Sequence, residues 1–292
     1  MTHHLGPLIG SQDSLRVIDC RACGYAHLET LPTPSELITF YETEFWTREK
    51  KGWLERYQAQ LDWQSAIYGD WLSLVEGVTL GRTLLDVGCG YGFFLQAAQL
   101  RGWGIAGIDP SPEALAYAKT ILTKGWALCL GTWAGAFSNT MQFDCLSALW
   151  LIEHLPDPRA FLVWCRLRLY SGGALLLSCP HDFSAKQLEI HGSVARPYYW
   201  LHKTHLNYFN GATLSNLLGL AGFQIVERLT MFDMANFLPN MDYTAGGKLG
   251  DKLHIDVRAF DLSMTREQRI KHYQDLARLG KGRELIVIAR PI

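Results

Sequence analysis

Leu85-Asp86-Val87-Gly88-Cys89-Gly90-Tyr91-Gly92 joins two stretches of different period. Before it, Thr83-Leu84-Leu85-Asp86-Val87 is a short apolar run of strand length. After it, Phe93 to Arg101 reads as a helix that closes at Gly102. A glycine loop between a strand and a helix lets the backbone approach a ligand closely and turn sharply into the helix, whose free N–H groups point outward.

Strands and helices alternate from Gly81 onward. Gly104 to Ile108 is a second strand, and Ser111-Pro112-Glu113 supplies a cap, a first-turn proline and a first-turn acid for the next helix. Trp126 to Leu130 and Phe143 to Leu149 are a third and a fourth strand. Asp157-Pro158 opens a helix that Gly172-Gly173 is expected to end, and Ala174 to Ser178 is the fifth strand. A helix from Thr213 to Ala221, a strand from Phe223 to Leu229 and a last strand from Glu284 to Ala289 follow. Strands that alternate with helices in this way mean crossover units and a parallel sheet. Ligands of such sheets bind beyond the carboxyl ends of the strands.

Asp109 ends the second strand. A carboxylate there can accept both hydroxyls of a ribose, so loop and acid together predict a nucleoside ligand. The dinucleotide fingerprint is Gly-x-Gly-x-x-Gly, whereas this loop is Gly-x-Gly-x-Gly. The charge of Asp86 is also poorly placed beside a pyrophosphate. It suits an α-ammonium group and favours a sulfonium.

These residues resemble the first two motifs of the class I S-adenosylmethionine-dependent methyltransferases, small-molecule branch: Leu85 to Gly92, then Gly107-Ile108-Asp109-Pro110-Ser111. Phe143-Asp144, Leu151-Ile152-Glu153-His154-Leu155-Pro156-Asp157-Pro158, Leu169 to Gly173, His205 to Leu214 and Ala221-Gly222-Phe223 are similar to that branch's later segments. The resemblance covers about residues 80 to 231. It implies an α/β fold with a doubly wound, mostly parallel, seven-stranded Rossmann-like sheet, the last strand being antiparallel. Asp86, Gly88 and Gly90 would hold the methionine part of S-adenosylmethionine and Asp109 the ribose, with Cys89, Gly92 and Pro110 in the same two loops. Thr132 and Trp133 would flank the adenine, with Leu149 and Trp150 near the sulfonium. For Trp133 and Trp150 the competing reading is plain core packing.

Three further segments surround that domain, taken as residues 79–292. Residues 34–78 form a helical extension. Ser35 can cap its first helix, and a second runs from about Thr47 to Glu76. Residues 232–283 separate two strands that a short hairpin could join, with Thr265-Arg-Glu-Gln268 as a capping box, and form either a substrate cap or an oligomer contact. Residues 1–33 are turn-rich. Gly6 to Ser11 and Val17 to Tyr25 resemble a small zinc ribbon that often precedes such methyltransferases, but Gly6 and Ile9 stand where two of its thiolates belong. Cys20 and Cys23 supply only two ligands, His3 and His4 are wrongly spaced to replace the lost pair, and four are needed, so a relic turn without metal is expected.

An alcohol or phenol acceptor benefits from a general base, and histidine titrates in the right range. His154 follows the fourth strand, at the edge of the sheet where the methyl group must point. Its bland role is to orient the loop through Glu153 or a backbone carbonyl. His205 belongs to a segment in which His181, His191, His202 and His205 alternate with Tyr198, Tyr199, Trp200, Tyr208 and Phe209, a pattern that suits a pocket lining or a lid. His154 and His205 are the two candidate bases.

Composition closes several other routes. The 292 residues are 48% hydrophobic, and 27 basic residues against 28 acidic ones give a net charge of −1, so no electrostatic grip on nucleic acid is expected. Leu149-Trp150-Leu151-Ile152 also replaces the Asn/Asp-Pro-Pro-aromatic motif of nucleic-acid amino methyltransferases. No apolar run spans a membrane, no signal peptide is visible, and the odd number of cysteines, 7, reads as reduced thiols of a cytoplasmic protein. The leading expectation is methyl transfer to a small-molecule or sugar/glycan acceptor, at oxygen. Sugar carbon-methyltransferases with the ribbon carry a further large domain for which this chain has no room. The alternatives are a nicotinamide-dependent oxidoreductase, against which Asp86 and the loop spacing speak, and a non-catalytic cofactor-binding protein. The oligomeric state is left open.

Overall fold

The structure is a computed structural model that describes residues 4–45, 51–123, 125–135, 141–193, 201–234 and 248–292. The N-terminal segment, expected to be turns, is an antiparallel meander of β1 (Leu8–Gln12), β2 (Leu15–Cys20) and β3 (Tyr25–Leu28). It is completed by β9 (Asn207–Tyr208), which pairs with β3 through Ala26↔Tyr208 and His27↔Asn207. Val17, Leu206 and Tyr208 form its small core.

Helix α1 (Pro34–Thr43) is capped by Thr33, not Ser35. The Thr33 hydroxyl accepts from Glu36 N, and the Glu36 carboxylate reaches back to Thr33 N, two orphan amides satisfied reciprocally. The second expected helix is two, α2 (Trp53–Gln58) and α3 (Leu61–Glu76). Its proposed start near Thr47 lies outside the described residues.

The remaining chain supplies β4 (Thr83–Val87), α4 (Phe93–Leu100), β5 (Gly104–Asp109), α5 (Pro112–Ile121), β6 (Trp126–Leu130) and β7 (Phe143–Leu149). Then come α6 (Pro158–Leu167), β8 (Leu169–Pro180), α7 (Ala185–Ser193), β9, α8 (Gly211–Leu220), β10 (Phe223–Asp233) and β11 (Gly282–Pro291). The sheet order is β10-β11-β8-β7-β4-β5-β6, with β11 antiparallel to both neighbours and the β7-β4-β5-β6 and β7-β8 pairs parallel. This is the doubly wound, seven-stranded sheet expected from the resemblance.

Gly172-Gly173 does not end a helix. Helix α6 stops at Leu167, and both glycines lie inside β8, where the register with β7 slips between Phe143↔Leu169 and Cys145↔Ala174. A glycine pair marks a β-bulge as readily as a helix stop, and pairing with β7 decides between them.

Helices α6 and α8 cover one face of the sheet, burying Phe161, Leu162, Cys165, Leu214 and Leu218. Helices α3, α4 and α5 cover the other, with Trp71, Leu72, Phe94, Leu95 and Leu115. Each fully buried side chain of this kind contributes about 1.5–3 kcal/mol. The insertion joins the second face: its Arg266–Arg278 helix packs on β10, with Tyr273 and Leu276 in the same core as Leu229 and Ile286. Thr265 caps that helix in the expected box with Gln268.

Candidate active site

The glycine loop sits at the carboxyl end of β4, between β5 and β7. Gly88 has φ 76°, and a methyl group on it would stand 3.2 Å from a Leu151 methyl, so a side chain there meets both strain and a neighbour. Gly88 N and Cys89 N donate to Ile108 O, which ties the loop to β5. Cys89 is buried, its Sγ facing Gly107 of β5, where a methyl group would come within 2.8 Å of it.

Asp109 ends β5 with 4% of its surface exposed. Gly90 N donates to one carboxylate oxygen at 2.8 Å and Ser111 N to the other at 2.9 Å. A carboxylate offers about four acceptor positions, enough for two ribose hydroxyls beside these amides. Pro110, half-buried, lies between Asp109 and the Ser111 amide.

Asp86, at 3% exposure, accepts a hydrogen bond from Ser147 Oγ at 2.7 Å. Burial pushes its carboxyl up to about 7; the Ser147 bond opposes this, and the nearby charge of Asp109 adds to it. Two buried carboxyls at one loop make the site receptive to a cationic ligand. The Tyr41 hydroxyl of α1 is also buried and has no hydrogen-bond partner among the described residues. It lies in the fields of Glu153 and Asp109, which, after burial, raise its pKa further. A buried hydroxyl left over beside these acids is what a polar ligand would complete.

The predicted adenine and sulfonium neighbours combine contacts to the core with partial exposure. Trp133 packs edge-on against Phe161 and Trp164 at 5.7 and 5.8 Å, yet is only half-buried, and Thr132 beside it is exposed. Leu149 is half-buried at the end of β7. Trp150 takes a left-handed φ of 50°; its backbone N–H donates to Ser178 O, and its indole N–H to Glu284 at 3.1 Å. Its ring lies 5.9 Å from that of Trp71 on α3. Glu284 and Tyr41 went unread because each meets the site from a distant part of the chain.

His154 and His205 come together, their ring centroids 5.0 Å apart and the planes at 82°. His154 sits in the short 3-10 turn Ile152–His154 and is 8% exposed. Its Nδ1 is 2.7 Å from Thr204 O. A carbonyl can only accept, so Nδ1 carries the proton, and in the neutral ring the lone pair is on Nε2. That nitrogen lies 3.8 Å from Glu153 Oε1, itself buried. The orienting role and the basic role thus fall on opposite nitrogens of one ring. His205 is half-buried.

Of the other histidines, His202 stays beside this pair, its ring centroid 5.6 Å from that of His205. His181 is buried, and its Nδ1 donates to Gly282 O at 2.8 Å, which holds the β8–β11 crossing. His202 is exposed and bonds Thr204 Oγ1, and His191 is on α7. Tyr208 and Phe209 are buried in cores, Phe209 against Tyr25 at 5.0 Å. Tyr198, Tyr199 and Trp200 lie outside the described residues.

The N-terminal meander holds a second cluster. His4, Cys20, Cys23 and His27 present ligand-type atoms all within 4.8 Å of one another. The premise behind the expected relic turn, that only Cys20 and Cys23 remain in place, is therefore corrected. Sequence spacing does not show this cluster, because chain pairing carries His4 across to Cys20 and Cys23 and the β2–β3 register brings His27 to them. His3 lies outside the described residues.

Comparison with known proteins agrees with this geometry. The sequence profile of a family described as a methyltransferase domain matches residues 53–228. The ubiquinone biosynthesis O-methyltransferase of Idiomarina loihiensis is 32% identical over 114 residues, covering 37% of this chain and 47% of that protein. The protein of the same name from Pseudomonas paraeruginosa is 34% identical over 113 residues, covering 37% and 48%. The chain thus spans about half the length of these curated relatives. Among solved structures, the magnesium protoporphyrin IX methyltransferase of Synechocystis, with bound SAH, superposes with a TM-score of 0.55 at 13% identity, over 89% of this chain and 100% of that one, a likeness of fold. With the profile covering more than half of its length, the chain belongs to the class I S-adenosylmethionine-dependent methyltransferases, a family whose methyl donor is S-adenosylmethionine.

Proposed function

We propose that this methyltransferase acts on an oxygen of a small acceptor placed against His154 and His205. The carrying observation is the His154 ring, whose Nδ1–H is fixed on Thr204 O so that Nε2 is the basic nitrogen beside Glu153. The curated relatives, named for O-methylation, support the same acceptor chemistry. A screen of hydroxylated small molecules and glycans for a one-methyl mass gain tests it; methylation of amines only would sink it.

Bound in the site, the cofactor supplies an electrophilic methyl group on a sulfonium. Asp109 would accept the ribose hydroxyls and Asp86 the ammonium, with Gly88, Cys89, Gly90 and Gly92 giving the backbone approach. Thr132 and Trp133 would border the adenine, and Leu149 and Trp150 the sulfonium side. His154 Nε2 would take the acceptor proton, and Tyr41, with its buried hydroxyl, would donate or accept one hydrogen bond there. Displacement at carbon needs in-line approach, so the rigidity of these walls contributes to rate.

Two outcomes follow for binding. Asp109→Ala should weaken S-adenosylmethionine by about 1–3 kcal/mol in titration calorimetry, the value of hydrogen bonds to a charged group. Unchanged affinity would put the ribose elsewhere.

The second outcome concerns pH. Ionising the buried Asp86 costs folding stability as pH rises from about 4, its unfolded value, to about 7. A cationic ligand favours the ionised form, so affinity should be lost as pH falls through about 7, approaching tenfold per pH unit below it. Calorimetry at about pH 6 and pH 8 should show this slope in the wild type and a flat, weak response in Asp86→Asn. An equal slope in both proteins would assign the proton to another group.

A further inference from the structure

We propose that His4, Cys20, Cys23 and His27 form a four-ligand zinc site of Cys2His2 type, independent of the methyl-transfer site. His4 Nδ1 lies 3.6 Å from Cys20 Sγ and 3.4 Å from Cys23 Sγ. Zinc–sulfur bonds of about 2.3 Å and zinc–nitrogen bonds of about 2.0–2.1 Å give a tetrahedron with edges of about 3.4–3.8 Å. Both distances fall in that range without a metal to impose them. All four ligand atoms lie within 4.8 Å of one another, so at most about 1.0–1.4 Å of closure separates them from the edges of that tetrahedron.

His27 is the independent sign of a ligand. It is 1% exposed, and its Nδ1 donates to Leu28 O at 2.7 Å. The proton is therefore on Nδ1, and Nε2 carries a lone pair. That Nε2 is buried with no hydrogen-bond partner among the described residues, and the His27 ring stands 4.9 Å from that of His4 within the cluster. A buried lone pair normally costs stability unless something fills it, and a backbone carbonyl on the other ring nitrogen is the usual support for a metal-bound histidine.

The backbone explains how His4 arrives. Asp19 N donates to Pro7 O, and Arg21 N to Leu5 O, which lays residues 5–7 along β2. At Gly6 a methyl group would collide with Asp19 O, so the approach requires glycine. Gly6 stands where a ribbon thiolate would be, and its lack of a side chain lets the preceding His4 reach over Cys20 and Cys23. Two thiolates and two imidazoles in a closed tetrahedral set suit zinc, whose structural sites have this composition.

The site would brace the edge of the acceptor side. His27 is paired in register with Asn207, Leu28 N donates to Leu206 O, and Leu206 N donates to Glu153 O. The metal would fix the strand that follows His205.

Elemental analysis of the full chain, expressed with zinc and freed of loose metal by gel filtration, is expected to find about one zinc per chain. His4→Ala and Cys23→Ser should fall below about a tenth of that, while Cys129→Ser keeps it. His4 is exposed, so its loss cannot unfold the chain through packing. Cobalt loaded in place of zinc should show the visible bands and thiolate charge transfer of a tetrahedral site, both absent in His4→Ala. Wild-type protein without zinc, zinc held equally by both variants, or a Cys20–Cys23 disulfide in place of the metal under reducing purification would each overturn the proposal.

Discussion

His154→Ala is expected to lower turnover by about 10²–10⁴-fold, the usual contribution of a positioned general base, with cofactor affinity within a few fold of wild type. The asymmetry has a structural reason. His154 follows β7 and touches Thr204, Glu153 and His205, whereas the cofactor-holding acids Asp86 and Asp109 are on β4 and β5. His205→Ala should cost less, because it leaves the Thr204 bond and therefore the tautomer of His154 in place. Steady-state rates with the acceptor found by mass shift, at several pH values, distinguish the two. Near-normal turnover in both variants would mean that the proton leaves to another group or to water, and that positioning alone carries the rate.

What the sequence made legible was local. The loop from Asp86 to Gly92, the cap at Ser111 and the box from Thr265 to Gln268 are each settled within a few residues, and each stands where it was read. Strand alternation likewise survived, because crossovers and apolar runs are near-neighbour properties. The 1–33 segment is a local miss: its strands pair with their chain neighbours, β1 with β2 and β2 with β3, and β9 adds two residues from downstream. The other errors have a common cause in distant pairing. Gly172-Gly173 looks like a helix stop until β7 sets its register. Trp150 meets Glu284 only through the folding of the last strand into the sheet. His27 shows no ligand spacing in the sequence; the β2–β3 register, Ile18↔His27, brings it to the cysteines, and the folding of residues 5–7 onto β2 adds His4. The division of the acceptor side follows the same rule. His154 was placed by its strand, but its pairing with His205 depends on a chain return that periodicity does not encode.

The role of the insertion was undecided between cap and oligomer contact, and its packing supplies a third account, a brace on the N-terminal extension. Arg269 donates to both carboxylate oxygens of Asp70 on α3, at 2.6 and 3.0 Å, with both side chains under a tenth exposed. Its other amino group donates to Asp261 O and Met264 O at the end of the Lys248–Ser263 helix. Asp261 in turn accepts from the Trp63 indole at 2.7 Å. One guanidinium thus joins α3 to both helices of the insertion. Arg269→Ala would leave Asp70 buried, where burial already raises its pKa against the pull of Arg269. Breaking such a pair typically costs about 3–5 kcal/mol, so an apparent Tm loss on the order of 10 °C is expected. Arg266, 3.6 Å from Asp70 and half-exposed, can take over part of the charge and sets the lower end of that range. The double replacement Asp70→Leu with Arg269→Met removes charge and counter-charge together and should recover most of the loss, because a well-packed apolar pair often matches a buried ion pair. Equal losses in the single and double variants would instead assign the stability to the carbonyl bonds at Asp261 and Met264, and the charge of Asp70 would have no part in holding the insertion.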